Sequence, residues 1–286
     1  MNHPYPPPVD KLLTLDMPDL YGVRDYLALG LGPEHIPDLI RLATDEPLRW
    51  GEDSEEPALW GPLHAWFALS QLRAEAAVEP LLTQFWHIDD DDDEWAQEEM
   101  PGVFAQIGPA AVPALAAYLT DGQHGKYASA TAAEALRAIG GQYPEARAAC
   151  AAALTRRLED FENNDEGLNA FLISDLVELE AREALPLIER VFASERVDEM
   201  VRGDWEDIQI ELGLKTEREH PRKPNPLSML LPPLFRPPVA DSPRPVREDI
   251  RQWNEKLEAQ KRAKALAQAQ QITRREENKR RKRRKK

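Results

Sequence analysis

The chain has a single cysteine among 286 residues, Cys150, so no internal disulfide and no cysteine-based zinc cluster can form. Set in Arg147-Ala148-Ala149-Cys150-Ala151-Ala152-Ala153, that thiol reads as a small apolar residue on a packed helix face rather than a reactive group. No apolar stretch reaches the length needed to cross a membrane. The opening residues, Met1-Asn2-His3-Pro4-Tyr5-Pro6-Pro7-Pro8, offer neither the basic region nor the apolar run of a signal peptide, so the cytoplasm is the expected location. His3, His35, His64, His87, His124 and His220 each lack a second His or Cys at ligand spacing, and no metal centre is expected. Serine and cysteine nucleophile motifs and a phosphate-cradling glycine loop are missing as well. These absences favour a non-catalytic protein with no cofactor, although an enzyme whose residues converge on a concave face would leave no linear trace.

What the chain does have is charge of both signs, unevenly placed. Its net charge of -15 averages two opposed regions. Residues 1–214 carry 42 acidic against 14 basic side chains, a net of -28. Residues 251–286 carry 15 basic against 4 acidic, a net of +11. So acidic a body repels polyanions and attracts cationic partners, and the tail does the reverse. Hydrophobic residues make up 42% of the chain, enough for a core, and most of the large ones lie at or before Leu214.

After Asp19 apolar residues recur three and four apart, alanine is abundant and β-branched runs are scarce, which predicts helices. A unit then repeats. Gly32-Pro33-Glu34-His35-Ile36-Pro37-Asp38-Leu39 is echoed by Gly108-Pro109-Ala110-Ala111-Val112-Pro113-Ala114-Leu115. Weaker echoes are Ala77-Val78-Glu79-Pro80-Leu81-Leu82 and Ala184-Leu185-Pro186-Leu187-Ile188. The gaps between Pro37, Pro80, Pro113 and Pro186 are 43, 33 and 73, and the last leaves room for a degenerate copy around Pro144. Its second helix is expected from about Ala146 to Leu158. In each unit a helix closes, often on glycine, and proline follows in the first turn of the next helix, where its missing N–H is harmless. One helix pair cannot bury its apolar side alone, so pairs must stack, about five of them between residues 20 and 214.

The unit Gly-Pro-x-x-Val/Ile-Pro-x-Leu after an Ala/Leu-rich helix resembles the HEAT-like repeats of the phycobilisome-lyase type. The resemblance implies an all-α fold: a curved HEAT-like α-solenoid of paired antiparallel helices. It covers about two thirds of the chain and says little about activity. Relatives often carry an Asp and an Arg near the middle of the unit. The copies here mostly lack that pair, so no functional residue is carried over. Some HEAT-like proteins excise damaged DNA bases, which needs a basic concave face and conflicts with a body of -28. Phycobilisome lyases handle bilin pigments, and nothing in the chain singles out a pigment site.

Four segments are expected: an irregular N-terminal segment (1–19), the repeat domain (20–214), a Pro-rich connector (215–245) and a charged helical or disordered tail (246–286). Met200 to Leu214 reads as a segment capping the stack. Two acidic inserts interrupt the repeats, Asp45 to Pro57 with Trp50, and Ile88 to Glu99 with Asp89, Asp90, Asp91, Asp92, Asp93, Glu94 and Trp95. The six adjacent acids lack the alternating donors and turn glycine of a calcium loop, so an open solvated loop is expected. Trp60, Trp66 and Trp86 are expected to fill gaps between helices, and His64 to pack, whereas Trp50 and Trp95 are surface candidates. Trp50, Asp89 to Glu94 and Trp95 are therefore the candidate docking residues for a basic protein or peptide. Lys279, Arg280, Arg281, Lys282, Arg283, Arg284, Lys285 and Lys286 are the candidate contacts for RNA, a ribosome or DNA. A protein-interaction module with an acidic solenoid is thus the leading expectation, and a nucleic-acid-tethered factor the second.

Overall fold

The computed structural model describes residues 5–18, 24–51 and 57–221. The connector beyond residue 221 and the whole tail, Lys279 to Lys286 included, lie outside the described residues. By its contacts the chain divides into Met1–Leu212 and Gly213–Lys286. In the second unit the described residues hold a local pair, Lys215 Nζ to Glu219 Oε2 at 3.4 Å.

The first unit is all-α, with no strand among the described residues. Its helices are α1 (Ile36–Ala43), α2 (Glu46–Trp50), α3 (Gly61–Gln71), α4 (Val78–Leu82), α5 (Trp86–Asp90), α6 (Glu94–Ile107) and α7 (Val112–Asp121). Then follow α8 (Lys126–Gln142), α9 (Arg147–Leu158), α10 (Glu166–Glu178), α11 (Leu185–Ala193), α12 (Glu199–Arg202) and α13 (Trp205–Glu211). No single described helix is long and apolar enough to cross a membrane.

Proline placement follows the local chemistry. Pro37, Pro113 and Pro186 each occupy the second position of α1, α7 and α11, and Pro80 the third of α4. There the ring fills a site whose N–H would have no intrahelical acceptor. A short turn enters each of these four helices, and α9 as well, and is closed by a bond from residue i+3 to residue i. His35 N–H donates to Gly32 O (3.0 Å), Ala77 to Ala74 (2.9 Å), Ala111 to Gly108 (3.0 Å), Ala146 to Tyr143 (2.9 Å) and Ala184 to Ala181 (3.0 Å). Corners of this design stand at the five positions of the sequence repeat, and a sixth, closed by Trp60 N–H to Pro57 O (3.0 Å), enters α3 with Pro62 in its second position. The fourth lies where the sequence reading put a degenerate copy, and its helix α9 starts at Arg147, one residue after the expected Ala146.

Two corners are nearly superimposable in their bonding. Ala74 N–H reaches Leu69 O and Arg73 N–H reaches Ser70 O, while Ala181 reaches Leu176 and Glu180 reaches Val177. Arg73 and Glu180 take positive φ (49° and 53°) at the turn, which a non-glycine residue adopts at some strain. Gly108 takes φ +103°, but with extended ψ rather than the left-handed helical value its position suggests. A side chain there would meet the Tyr143 ring.

The helices pack in two rows. One row runs α3, α6, α8, α10, each touching the next, and the other α1, α4, α7, α9. Helix α8 touches α6, α7, α9 and α10, which its Ala128, Ala132, Ala133 and Ala135 permit by keeping the backbones close. Trp66, Phe85, Phe104, Leu115 and Leu136 are fully buried along the seam. Truncating such a leucine to alanine typically costs about 2–5 kcal/mol.

The ends depart from the sequence reading. Residues 1–19 are not wholly irregular: Val9–Thr14 forms a 3-10 turn that packs on α3, with Val9, Leu12 and Leu13 buried. Apolar spacing in a short Pro-flanked segment is too brief to show a period, so this docking left no pattern. The segment is pinned by buried His64, whose Nε2 bonds Asp16 O (2.9 Å) and whose Nδ1 accepts from the Tyr26 hydroxyl (2.8 Å). At the far end Ile208 and Leu212 bury against the last helices, and Arg202 ties Ser174, Glu178 and Glu211 together.

Candidate functional site

The acidic run is not an open loop. It ends α5, makes a three-residue turn and starts α6. Its acids alternate in task. Asp89 accepts from Tyr127 N (3.0 Å) and Ala128 N (2.8 Å), satisfying orphan donors at the start of α8. A Cβ on Gly125 would lie 2.2 Å from Asp89 Cγ, so glycine there admits the cap. Asp91 Oδ2 accepts from His87 Nδ1 at 2.6 Å. Asp93 caps α6 through Ala96 N (3.0 Å) and pairs with Arg49 at 2.6 Å. Asp90, Asp92 and Glu94 face solvent. The run was expected to form an open solvated loop, but fixed donors at Asp89, Asp91 and Asp93 hold it in place.

Arg49 is the element the sequence reading did not single out. Its side chain is 6% exposed, against 1% for Asp93. Burial pushes the guanidinium down to about 10, with Asp93 opposing. The guanidinium lies over the Trp66 ring (4.3 Å) and near that of Trp50 (4.9 Å). Trp50 then stacks on His87 (5.1 Å between centroids, 24°), and His87 meets Trp86 at a tilt (3.8 Å, 31°). A chain of ring contacts therefore leads from the buried Trp66 to the surface.

The surface members are Trp50, 43% exposed, and Trp86, 46% exposed. Trp86 was expected to fill a gap between helices and instead lies outward, on the same side of α5 as Asp90, four residues on. Trp95 does the opposite: it is half-buried against Trp60 (5.5 Å), so it does not join Trp50. Both reversals follow from helix phase, because α5 and α6 are separated by a turn that resets which face points inward.

Between the two exposed indoles, His87 is only 2% exposed. Its Nδ1 donates to Asp91 Oδ2 at 2.6 Å. Nε2 has no hydrogen-bond partner and lies 3.8 Å from Glu46 Oε1. Arg49 Nη1 is likewise buried without one. A carboxylate orienting an imidazole is half of a nucleophile-activating triad, but no hydroxyl or thiol among the described residues meets Nε2.

No family model, curated protein or solved structure matches the chain.

Burial also shifts three groups away from this edge. Burial raises the Cys150 thiol to about 11, in keeping with an inert core residue. Burial also raises the Asp175 carboxyl to about 8, although Arg137 stands 3.2 Å away and opposes the shift. His124 stacks on Tyr118 (3.6 Å) beside Asp121, and burial lowers its affinity for a proton.

Proposed function

We propose that the chain is a non-catalytic protein-interaction module, a HEAT-like α-solenoid of about five helix pairs that takes a basic protein or peptide on its acidic edge. The corners at the five repeat positions and the two helix rows support the repeat reading. The observation that carries the function is the surface at α2 and α5. Trp50 and Trp86 stand out beside Glu46, Asp90 and Asp91 on a body whose sequence carries -28. Large exposed indoles supply contact area, and the acids speed and orient the approach of a cation. The reading places the protein in the cytoplasm, with no cofactor or metal in its task.

Neutralising only the outward acids tests it, because Asp89, Asp91 and Asp93 hold the fold. The triple variant Asp90→Asn, Asp92→Asn, Glu94→Gln should bind a polybasic peptide about threefold to tenfold more weakly by calorimetry, with its melting curve unchanged. Unaltered affinity would remove this edge as the docking surface. A second reading rests on the +11 of residues 251–286: the tail tethers the protein to RNA, a ribosome or DNA. Truncation after Ile272 should then abolish salt-sensitive nucleic-acid binding, and binding that persists would dismiss the tether.

A further inference from the structure

We infer that His64 is a latch that lets go on acidification: a second proton on its ring unfastens the N-terminal strap (residues 5–18) and the segment of Tyr26 (residues 24–30) from α3, while the rest of the body stays folded. The inference is independent of the interaction reading above and concerns how the first helices are covered.

One ring holds two segments. His64 stands in α3, its Nε2 on Asp16 O of the strap (2.9 Å) and its Nδ1 on the Tyr26 hydroxyl (2.8 Å). A carbonyl only accepts, so Nε2 carries a proton, and in the neutral ring Nδ1 takes the hydroxyl hydrogen of Tyr26. Both nitrogens are thus served without charge, where His64 is 0% and Tyr26 3% exposed. A second proton would sit on Nδ1 and face the Tyr26 O–H. The hydroxyl must then turn its hydrogen toward buried surroundings, and the ring becomes a cation out of reach of water. The charged residues of the two segments are Asp10, Lys11, Asp16, Arg24 and Asp25. Burial opposes the added proton most, and the bond to Asp16 O favours it. Arg24 opposes it too, and among the described residues of the two segments, α1, α2 and α6 it is the charge that acts on the ring.

The two segments are built to leave together. Lys11 Nζ donates to Leu29 O (2.7 Å), which ties one segment to the other rather than to α3. Away from His64 the strap is held at Tyr5, which donates to Asp45 Oδ2 (2.5 Å) under the Arg41 guanidinium (4.2 Å), and by burial of Val9, Leu12 and Leu13. Tyr26 N–H donates to Gln71 Oε1 (3.0 Å) at the far end of α3. What the strap covers is apolar. Leu13 fills the corner between α1 and α3, where a Cβ on Gly61 would lie 2.7 Å from Leu13 and 3.4 Å from Leu42. Release therefore bares an apolar face on the first helices, and the proton concentration sets how often that face is open.

Hydrogen exchange of the full chain, followed by NMR between about pH 7 and pH 5 and corrected for the intrinsic rate, tests the latch. The hydrogen-bonded amides of Asp10, Lys11 and Tyr26 should be less protected than that of Leu136 inside α8, because they open without the whole unit. Their protection should fall by up to about tenfold for each pH unit below about 6.5, one proton being taken up per opening. His64→Gln keeps a donor and an acceptor but cannot ionise, so its strap protection should stay level over the same range. Strap protection equal to that of Leu136, no fall with pH, or a fall that persists in His64→Gln overturns the latch. Should glutamine prevent folding, the ring signals of His64 in the unmodified chain decide. A folded-state ring still neutral at about pH 6 supports the latch, and a ring that titrates near about 6.5 with the strap amides still protected overturns it.

Discussion

Replacing Asp93 by asparagine separates the charge of this residue from its cap. Asparagine still accepts from Ala96 N–H, so α6 keeps its start. What disappears is the negative partner of Arg49, a pair at 2.6 Å with side chains 6% and 1% exposed. At an effective dielectric of about 20, charges some 3 Å apart attract by roughly 5–6 kcal/mol, and desolvation of both groups offsets much of that. Removing one partner forfeits the attraction but leaves the other charge buried, which costs about 3–5 kcal/mol. For a body of this size that corresponds to a melting point lower by about 6–20 °C. Urea titration followed by tryptophan fluorescence reads the change in midpoint. Asp92→Asn, one residue away and facing solvent at φ +52°, should shift stability by no more than about 0.5 kcal/mol. The double variant Arg49→Met, Asp93→Asn should recover at least half of the single-variant loss, because no buried charge is then stranded. Equal small effects at Asp92 and Asp93, or a double variant as unstable as the single, would refute the buried-pair account.

The same titration checks the α8 cap: Asp89→Ala should cost about 1–2 kcal/mol, and Gly125→Ala should also destabilise, because its Cβ would occupy the space of the Asp89 carboxylate. His64 supplies a pH test. Burial lowers its pKa in the folded protein, while the unfolded ring titrates near about 6.5. The unfolded state therefore takes up the proton first, and stability from this residue is full above that value and lost as pH falls. His64→Gln should flatten the fall between neutral pH and pH ~5, to the extent that His124, also lowered, does not sustain it. Asp175 works in the opposite sense. Its carboxyl holds a proton up to about pH 8 in the fold but ionises near 3.8 when unfolded, so its contribution is lost as pH rises through that window. Asp175→Asn should gain on the unmodified protein in melts above pH 8, and an unchanged difference between pH 5 and pH 9 would reject the assignment.

Helix starts were legible where proline and small residues mark them. Pro37, Pro113 and Pro186 restrict φ wherever they stand, so the turn and helix around each follow from a few neighbouring residues. The acidic run was illegible for the opposite reason. Whether Asp93 meets solvent or a guanidinium depends on Arg49, 44 positions earlier, and nothing local records that meeting. Trp86 and Trp95 exchanged roles because a turn between two helices shifts the phase of each independently. A useful signal was nonetheless present: Asp93 followed by Glu94 and a helical run is an ordinary capping pattern, which marks an acid too busy to be part of an open loop. Burial of Val9, Leu12 and Leu13 depended likewise on a surface supplied by α3.

The corners have a bearing on how the body grows and assembles. Each is closed by a bond spanning three residues, so its ordering needs no distant segment to arrive first. If the proposed stack of repeats holds, folding can begin at whichever hairpin orders earliest and advance outward one neighbour at a time. On the proposed repeat reading, a whole unit could for the same reason be duplicated or deleted between two corners while the flanking hairpins keep their internal bonds, which would make the number of units the easiest property to vary.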